Sequence, residues 1–290
     1  MQLGLVGLGR MGGNMRERVR RAGHEVVGYD RNPAVSDVAG LAELAERLVS
    51  PRVVWVMVPA DVTEQTIDDL AAVLGSGDIV IDGGNSRFSN DPPRAERLGT
   101  GGIGYIDVGV SGGVWGIEYG YGLMVGGADE HVAHCMPIFE ALKPAGPFGF
   151  VHAGTVGAGH YTKMVHNGIE YGLMQAYAEG YELLQTSEYV DDVPGIFKSW
   201  REGTVIKSWL LDLMDRALDD DPSLSKLRGY ADDTGEGRWT VEEAIRLAVP
   251  MNVIAAAVFA RFTSRQDDSP AMKAVAALRN QFGGHPIKKS

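Results

Sequence analysis

Short apolar runs alternate with helix-like segments along the first half of the chain. Five runs predict strands, at residues 2–6, 24–29, 53–58, 78–81 and 105–110. Residues 11–22 and 61–74 carry apolar side chains at helical spacing, and Gly23 is a suitable residue to end the first of these helices. Strands that alternate with helices predict a parallel sheet with helices on both faces, a doubly wound, Rossmann-type α/β domain.

The strand-like runs stop near residue 155, and helical spacing takes over. Residues 159–184 predict one long helix, and further helices are expected within 195–218, 241–261 and 270–282. We therefore place a boundary near Thr155. It separates a dinucleotide-binding domain at 1–155 from an all-helical substrate and dimerisation domain with a C-terminal tail at 156–290.

Composition and charge exclude several classes of function. The chain is 44% hydrophobic and 22% charged, as is ordinary for a globular enzyme, and its net charge of −11 disfavours a nucleic-acid partner. The single cysteine, Cys135, can form neither an intrachain disulfide nor a zinc cage, so we expect no metal and a reducing, cytoplasmic location. No signal peptide and no membrane-spanning segment is expected, so we predict no membrane partner.

The first candidate site is the run Gly7-Leu8-Gly9-Arg10-Met11-Gly12, which directly follows the first predicted strand and opens a helix. In that context a Gly-x-Gly-x-x-Gly motif is a strong dinucleotide signal. The first glycine permits a tight turn, the second lets the pyrophosphate approach the backbone, and the third lets helix and strand pack closely. The helix N-terminus supplies N–H groups for the anion.

The choice of cofactor depends on two residues after the second strand. Asp30 is positioned to accept hydrogen bonds from the adenosine ribose and to repel a 2′-phosphate, which favours NAD. Arg31 could pair with that phosphate instead, so NADP stays possible. Four more residues, at the end of a predicted strand or in the loop after one, are expected to line the cofactor: Val58, Pro59, Ala60 and Asn85.

A polar stripe on the long predicted helix carries the candidate chemistry. His166, Asn167 and Glu170 follow Lys163 at i+3, i+4 and i+7, so the four share one face. Such a stripe is either a solvated Lys–Glu pair or a site with partners. Asn85 and the loop at 111–113 follow sheet strands, where ligands of open α/β sheets bind. Their convergence with the stripe would suit acid–base work on a hydroxy acid.

Several motifs resemble known enzymes. The glycine-rich opening, the run DVGVSGG at 107–113 and the Gly-x-Gly-x-x-x-Lys pattern ending at Lys163 are similar to the β-hydroxyacid dehydrogenases. More specifically, KMVHNGIEYG at 163–172 resembles the signature of the decarboxylating 6-phosphogluconate dehydrogenases. So do four other runs: DGGNS at 82–86, GRWT at 237–240, VFAR at 258–261 and RNQFGGH at 279–285. The chain lacks an additional helical stretch of the long family members, and therefore resembles the short form.

The resemblance implies oxidation of 6-phosphogluconate by NAD or NADP. Lys163 would be the general base that takes the proton of the C3 hydroxyl as hydride leaves C3. The resulting β-keto acid loses CO2 while protonated Lys163 polarises the ketone. Glu170 would then protonate C1 of the enediol, which yields a ketopentose phosphate. Lys163 must begin neutral, which burial or a neighbouring cation would favour.

The resemblance also implies a set of substrate contacts. The carboxylate and hydroxyls would be held by Asn85, Ser111, Gly112, Gly113, His166 and Asn167. Tyr171 and Arg261 would hold the phosphate. Arg279 and His285, in the tail, would reach the site of a neighbouring subunit, so a homodimer or homotetramer with shared sites is expected.

One departure from the family pattern leaves the substrate open. Thr234 and Glu236 stand where the long forms place a lysine and a threonine that hold the phosphate. A glutamate beside a dianion is repulsive. Either Arg261 and Arg279 hold the phosphate, or the loop differs, or the substrate is a non-phosphorylated sugar acid or small 3-hydroxy acid. A dinucleotide-sensing module, which would bind cofactor without turnover, is the alternative from another class.

Overall fold

The computed structural model describes residues 1–283 and 286–288 and divides the chain into two compact units, Met1–His166 and Asn167–Ser290. The division falls inside a helix, Ala158–Thr186, that begins in the first unit and continues in the second. The domain boundary near Thr155 stays a prediction.

The first unit is built on one seven-stranded sheet. Its strands are β1 (Gln2–Val6), β2 (Glu25–Tyr29), β3 (Val53–Val56), β4 (Ile79–Asp82), β5 (Gly104–Ser111), β6 (Gly122–Gly127) and β7 (Phe150–Gly154). They lie in the order β2-β1-β3-β4-β5-β6-β7, and the first five are parallel. The carboxyl ends of β1 to β5 therefore lie at one edge of the sheet, where the sequence predicts the cofactor.

Six helices belong to the same unit: α1 (Arg10–Arg21), α2 (Leu41–Arg47), α3 (Ala60–Ala71), α4 (Asp91–Gly99), α5 (Gly116–Tyr119) and α6 (Asp129–Leu142). Alternate residues of β3 enter different cores. Trp55 packs with Phe139 of α6 in one core, whereas Val54 packs with Ile67 of α3 and Leu98 of α4 in the other. Each such burial stabilises the fold by about 1.5–3 kcal/mol. Both faces of the sheet are covered, which confirms the predicted fold class.

Two strands were not predicted, and they make the sheet mixed. β6 runs antiparallel to β5, and β7 pairs parallel with β6. Three of the six residues of β6 are glycine, a residue that is depleted in strands, and β7 alternates imperfectly at the sheet edge. The predicted parallel sheet is confirmed for β1 to β5, and the sheet extends beyond them by two strands whose sequences carry little strand signal.

Helices alone follow β7 in the described part of the chain. They are α7 (Ala158–Thr186), α8 (Val193–Trp200), α9 (Trp209–Asp220), α10 (Glu236–Arg246), α11 (Asn252–Ser264) and α12 (Pro270–Gly283). The helical prediction is confirmed. Ser208 starts α9 by accepting a hydrogen bond from the Leu211 N–H at 3.1 Å, so residues 195–218 contain two helices. None of the described helices combines the length and apolarity that a bilayer crossing requires.

Candidate active site

The glycine-rich turn after β1 has the geometry that its three glycines predict. Gly7 has a φ of +93°, and a Cβ on Gly12 would clash with the carbonyl oxygen of Gly7. In contrast, a Cβ on Gly9 would meet no atom within 4 Å. No side chain caps the N-terminus of α1 at Gly9. Packing therefore requires the first and third glycines, while the second leaves open space before a helix N-terminus that suits an anion.

Asp30, directly after β2, is tied to this turn. One carboxylate oxygen accepts a hydrogen bond from the Leu8 N–H at 2.6 Å, and the other accepts one from the Asn32 N–H at 2.8 Å. Arg31 is exposed. The carboxylate thus lies beside the dinucleotide turn, where an adenosine ribose would lie in a Rossmann-type site.

The turn after β3 adjoins the same region. The first of its three predicted cofactor residues, Val58, has a methyl group within 2.9 Å of the Cβ position of Gly7, and Pro59 and Ala60 begin α3. Asn85 follows β4, in a loop whose Gly83 packs directly on the indole of Trp55. These residues all follow carboxyl ends of parallel strands.

The first part of α7 packs closely on β5. A Cβ on Gly109 would collide with the Cβ of Lys163, so only glycine lets the helix approach the strand this closely. The Ser111 hydroxyl lies 3.5 Å from Nε2 of His166. Gly112 continues the loop with a φ of +122°. The structure thus brings the Ser-Gly-Gly loop and the Lys163 segment together within the first unit.

In the second unit, Tyr171 of α7 contacts residues from two other predicted motifs. The Arg261 guanidinium stacks over the Tyr171 ring at 3.5 Å from its centroid. The Tyr171 hydroxyl accepts a hydrogen bond from the Thr234 N–H at 3.4 Å. A Cβ on Gly237 would lie 2.5 Å from the ring. Similarly, Thr240 fills the space beside Gly168. The GRWT motif therefore packs against the second half of the KMVHNGIEYG motif.

Glu236 and Thr234, the departures from the family pattern, are bonded to each other. Glu236 is 5% exposed at the start of α10. One of its oxygens accepts a hydrogen bond from the Asn167 amide at 2.8 Å, and the other accepts one from the Thr234 hydroxyl at 2.6 Å. The Glu236 carboxylate therefore accepts hydrogen bonds from two neutral donors, and it helps to fix the position of the Asn167 side chain.

The remaining predicted residues are only partly located. Glu170 lies on α7, two turns beyond Lys163, and Arg279 is exposed on α12. His285 lies outside the described residues.

Sequence reasoning missed a buried ionic network in the first unit. Its members are Asp82, Asp91, Arg94, Tyr105, Asp107 and His160, all at most 3% exposed. The sequence did contain a signal for this network: Asp82 ends an apolar strand and Asp107 interrupts another, and a buried carboxylate needs a partner.

Three of its members also resemble a metal site. Donor atoms of Asp82, Asp91 and His160 lie within 4.8 Å of one another. However, Arg94 approaches Asp82 to 2.9 Å, and Asp91 bonds His160 directly at 2.9 Å. Side chains of the protein itself therefore bond both carboxylates and Nδ1 of His160, whereas Nε2 of His160 is buried without a hydrogen-bond partner.

The fold and the candidate site together define a dinucleotide-dependent dehydrogenase with a helical second half. Comparison with known families makes this specific: residues 2–146 match the NAD binding domain of 6-phosphogluconate dehydrogenase, and residues 159–287 match the C-terminal domain of that enzyme. The chain therefore belongs to the 6-phosphogluconate dehydrogenase family.

Individual relatives are matched over different shares of their own length. The chain is 42% identical over 300 residues to the NAD(+)-dependent, decarboxylating enzyme of Haloferax volcanii, with 100% of this chain and 99% of that protein covered. It is 36% identical to the decarboxylating enzyme of Lactococcus lactis, but the match covers 91% of this chain and 61% of that relative. The solved Plasmodium falciparum 6-phosphogluconate dehydrogenase superimposes with a TM-score of 0.82 at 27% identity, over 100% of this chain and 66% of that one.

The glycine turn generates a paired prediction. Gly12→Ala should destabilise the fold by about 1–3 kcal/mol, because its methyl group overlaps the Gly7 carbonyl. Gly9→Ala should leave the melting temperature near that of the wild type and weaken NAD binding, because its methyl group enters only the open space. Thermal melts and NAD titration by calorimetry check both. A Gly9→Ala protein with wild-type NAD affinity would show that the dinucleotide binds elsewhere.

Proposed function

We propose that this protein oxidatively decarboxylates 6-phospho-D-gluconate to ribulose 5-phosphate and CO2, with hydride transfer to a nicotinamide cofactor. Membership of the 6-phosphogluconate dehydrogenase family supports the reaction. The carrying observation is the packing of Lys163 on Gly109, with His166 beside Ser111. This packing supports a role for Lys163, His166 and Ser111 near the carboxyl end of β5, where a hydroxy acid would bind next to the nicotinamide.

Each step then has a residue of suitable chemistry. Lys163 would take the proton of the C3 hydroxyl, and the nicotinamide, when bound, would supply the acceptor for the hydride that leaves C3. The C1 carboxylate leaves as CO2, and the electron pair of that bond forms an enediol(ate) while the Lys163 ammonium polarises the C3 carbonyl. Glu170 donates a proton to C1 of the enediol, the carbon that carried the carboxylate, and this gives the ketopentose phosphate. Glu170 is seven positions beyond Lys163, so both lie on one face of α7, roughly 10 Å apart along its axis.

We assign the substrate phosphate mainly to Arg261. Its guanidinium is fixed by the Tyr171 ring and by a hydrogen bond of 2.7 Å to the Asp232 carbonyl. Planar guanidinium groups match phosphate oxygens well. Glu236 is buried and bonded to Asn167 and Thr234, which weakens the expectation that it repels the phosphate. The alternative, a non-phosphorylated sugar acid or small 3-hydroxy acid, would need no such cation.

We further propose that NAD is preferred over NADP. Asp30 offers a carboxylate beside the dinucleotide turn, which would repel a 2′-phosphate. The Haloferax volcanii relative is named as NAD(+)-dependent, whereas the Plasmodium falciparum structure is described with NADP+. Exposed Arg31 is the residue by which NADP could be accepted.

The reaction predicts equal amounts of reduced cofactor and CO2 from 6-phosphogluconate. Cofactor absorbance and released CO2 should be recorded together, separately with NAD and NADP. NAD should give the higher kcat/KM. Turnover of gluconate or a small 3-hydroxy acid, with none of 6-phosphogluconate, would favour the alternative substrate. Cofactor binding without turnover of any hydroxy acid would favour the sensing module.

Lys163 should be required for chemistry more than for binding. Lys163→Arg keeps a long basic side chain and the packing on Gly109, but arginine stays protonated and cannot serve as a base. We expect kcat to fall about 10²–10⁴-fold with a smaller change in KM. The matched control is Lys198→Arg on α8, which replaces an exposed lysine paired with Asp219. Near-normal kcat in Lys163→Arg would contradict the assignment.

We also propose that the protein is at least a homodimer whose subunits share sites through Arg279 and His285. Exposed apolar side chains on α11, among them Val253 (70%) and Phe259 (59%), support an interface. A cytoplasmic location is proposed from the free, buried Cys135, and recovery of the protein in a membrane or secreted fraction would contradict it.

The proposed dimer interface on α11 can be tested by introducing one charged side chain. Phe259→Glu should shift sedimentation velocity towards the monomer and lower activity, because a buried charge at an apolar interface is costly. Phe148→Glu, at an 83% exposed position in the first unit, is the control. A stable wild-type monomer with full activity would remove both the interface and the shared tail.

A further inference from the structure

Three fully buried carboxylates lie close together in the first unit. Asp82 ends β4, Asp107 is in β5, and Asp91 begins α4; each is 0% exposed. Asp82 and Asp107 occupy neighbouring register positions on their strands. Buried carboxylates need cations and hydrogen bonds. The cationic partners in this network are Arg94 and His160.

The Asp82 carboxylate shapes the loop that carries Asn85. It accepts hydrogen bonds from the Gly84 N–H at 3.0 Å and from the Ser86 hydroxyl at 2.7 Å. Arg94 adds a charged hydrogen bond at 2.9 Å. The residues on both sides of Asn85 are therefore held by one carboxylate.

The Asp107 carboxylate fixes the start of α7. It accepts hydrogen bonds from the Gly157 N–H at 2.7 Å and from the His160 N–H at 2.9 Å. A carboxylate at a helix N-terminus satisfies free N–H groups and interacts favourably with the helix dipole. Lys163 lies only three residues beyond His160, so its position depends on this turn.

His160 connects the two carboxylates through Asp91. Its Nδ1 lies 2.9 Å from one oxygen of Asp91, and the other Asp91 oxygen accepts a hydrogen bond from the Tyr105 hydroxyl at 2.9 Å. That hydroxyl also lies 3.3 Å from Asp82. A continuous buried path thus runs from the start of α7 to the Asn85 loop.

We propose that His160, acting through Asp91, is a positioning residue that holds the first turn of α7 and the Asn85 loop in one mutual geometry. This inference rests on the hydrogen bonds that six buried side chains make with one another and with the backbone, and none of those side chains needs to touch the substrate. The consequence for Lys163 and Asn85 as site residues rests on the proposed function.

Electrostatics makes His160 more than a hydrogen-bond donor. Burial alone would lower the pKa of His160, but the hydrogen bond and charge of Asp91, with the charges of Asp82 and Asp107, raise it to about 9. The positive group facing it in this network is Arg94, which is bonded to Asp82. Because the folded pKa lies above the ordinary value of 6.5, the stabilisation is complete below about pH 6.5 and is lost as the pH rises through about 9.

Two substitutions separate the hydrogen bond from the charge. His160→Asn keeps an N–H donor near the position of Nδ1 but carries no charge, whereas His160→Leu removes both. His134→Leu, at an exposed position on α6, is the matched control. Hydrogen exchange followed by mass spectrometry should be measured over residues 83–87 and 157–166, together with kcat and KM for 6-phosphogluconate.

We expect His160→Leu to accelerate exchange in both segments and to lower kcat by about tenfold or more, with a smaller change in KM. His160→Asn should recover much of both, and its melting temperature should approach that of the wild type as the pH is raised from 7 to above 9. His134→Leu should change neither readout. If the leucine variant does not fold, the asparagine variant carries the test through the pH dependence of its melting temperature.

Wild-type exchange over 83–87 in a folded His160→Leu protein would overturn the proposal, since the coupling to the Asn85 loop would be absent. A melting-temperature difference between wild type and His160→Asn that does not change with pH would overturn the role of the charge. A wild-type protein inactive on 6-phosphogluconate would instead refute the proposed function. The exchange measurements would still decide whether His160 couples the two segments.

Discussion

A carboxylate inside a β-strand is the constraint on which the candidate active site depends. Asp107 lies in β5 and accepts hydrogen bonds from the start of α7, fifty residues later in the chain. Two residues further along the strand, Gly109 leaves the space that Lys163 occupies. Two residues of one strand thus act together on the helix. The Asp107 carboxylate anchors the start of α7, and Gly109, which has no side chain, lets α7 approach the strand.

Much of the first unit was predictable because its elements are specified locally. The parallel strands are continuous apolar runs, and the glycine turn after β1 is required by contacts of its own backbone with nearby residues. β6 and β7 escaped prediction because glycines and an exposed edge weaken their pattern. Tertiary pairing, not local propensity, makes these residues strands.

The site shows the same limit more clearly. Helical spacing alone placed the polar residues of α7 on one face, but it could not reveal that Asp91 and His160 are buried and bonded. Those partners come from distant segments, and in isolation Asp91 has the pattern of an ordinary helix start. Likewise, Glu236 looked repulsive from its position in the sequence, whereas its hydrogen bonds to Asn167 and Thr234 give it a structural role.

The bond between Asp30 and the Leu8 amide has a consequence for redesign of the coenzyme preference. The usual way to admit a phosphorylated ribose is to replace the acidic residue after the second strand with a small or basic one. Here the same carboxylate also braces the backbone turn that would receive the pyrophosphate. A substitution made to change selectivity would remove that brace as well. We therefore expect such a substitution to change coenzyme affinity together with selectivity, unless another side chain supplies an acceptor for the Leu8 amide.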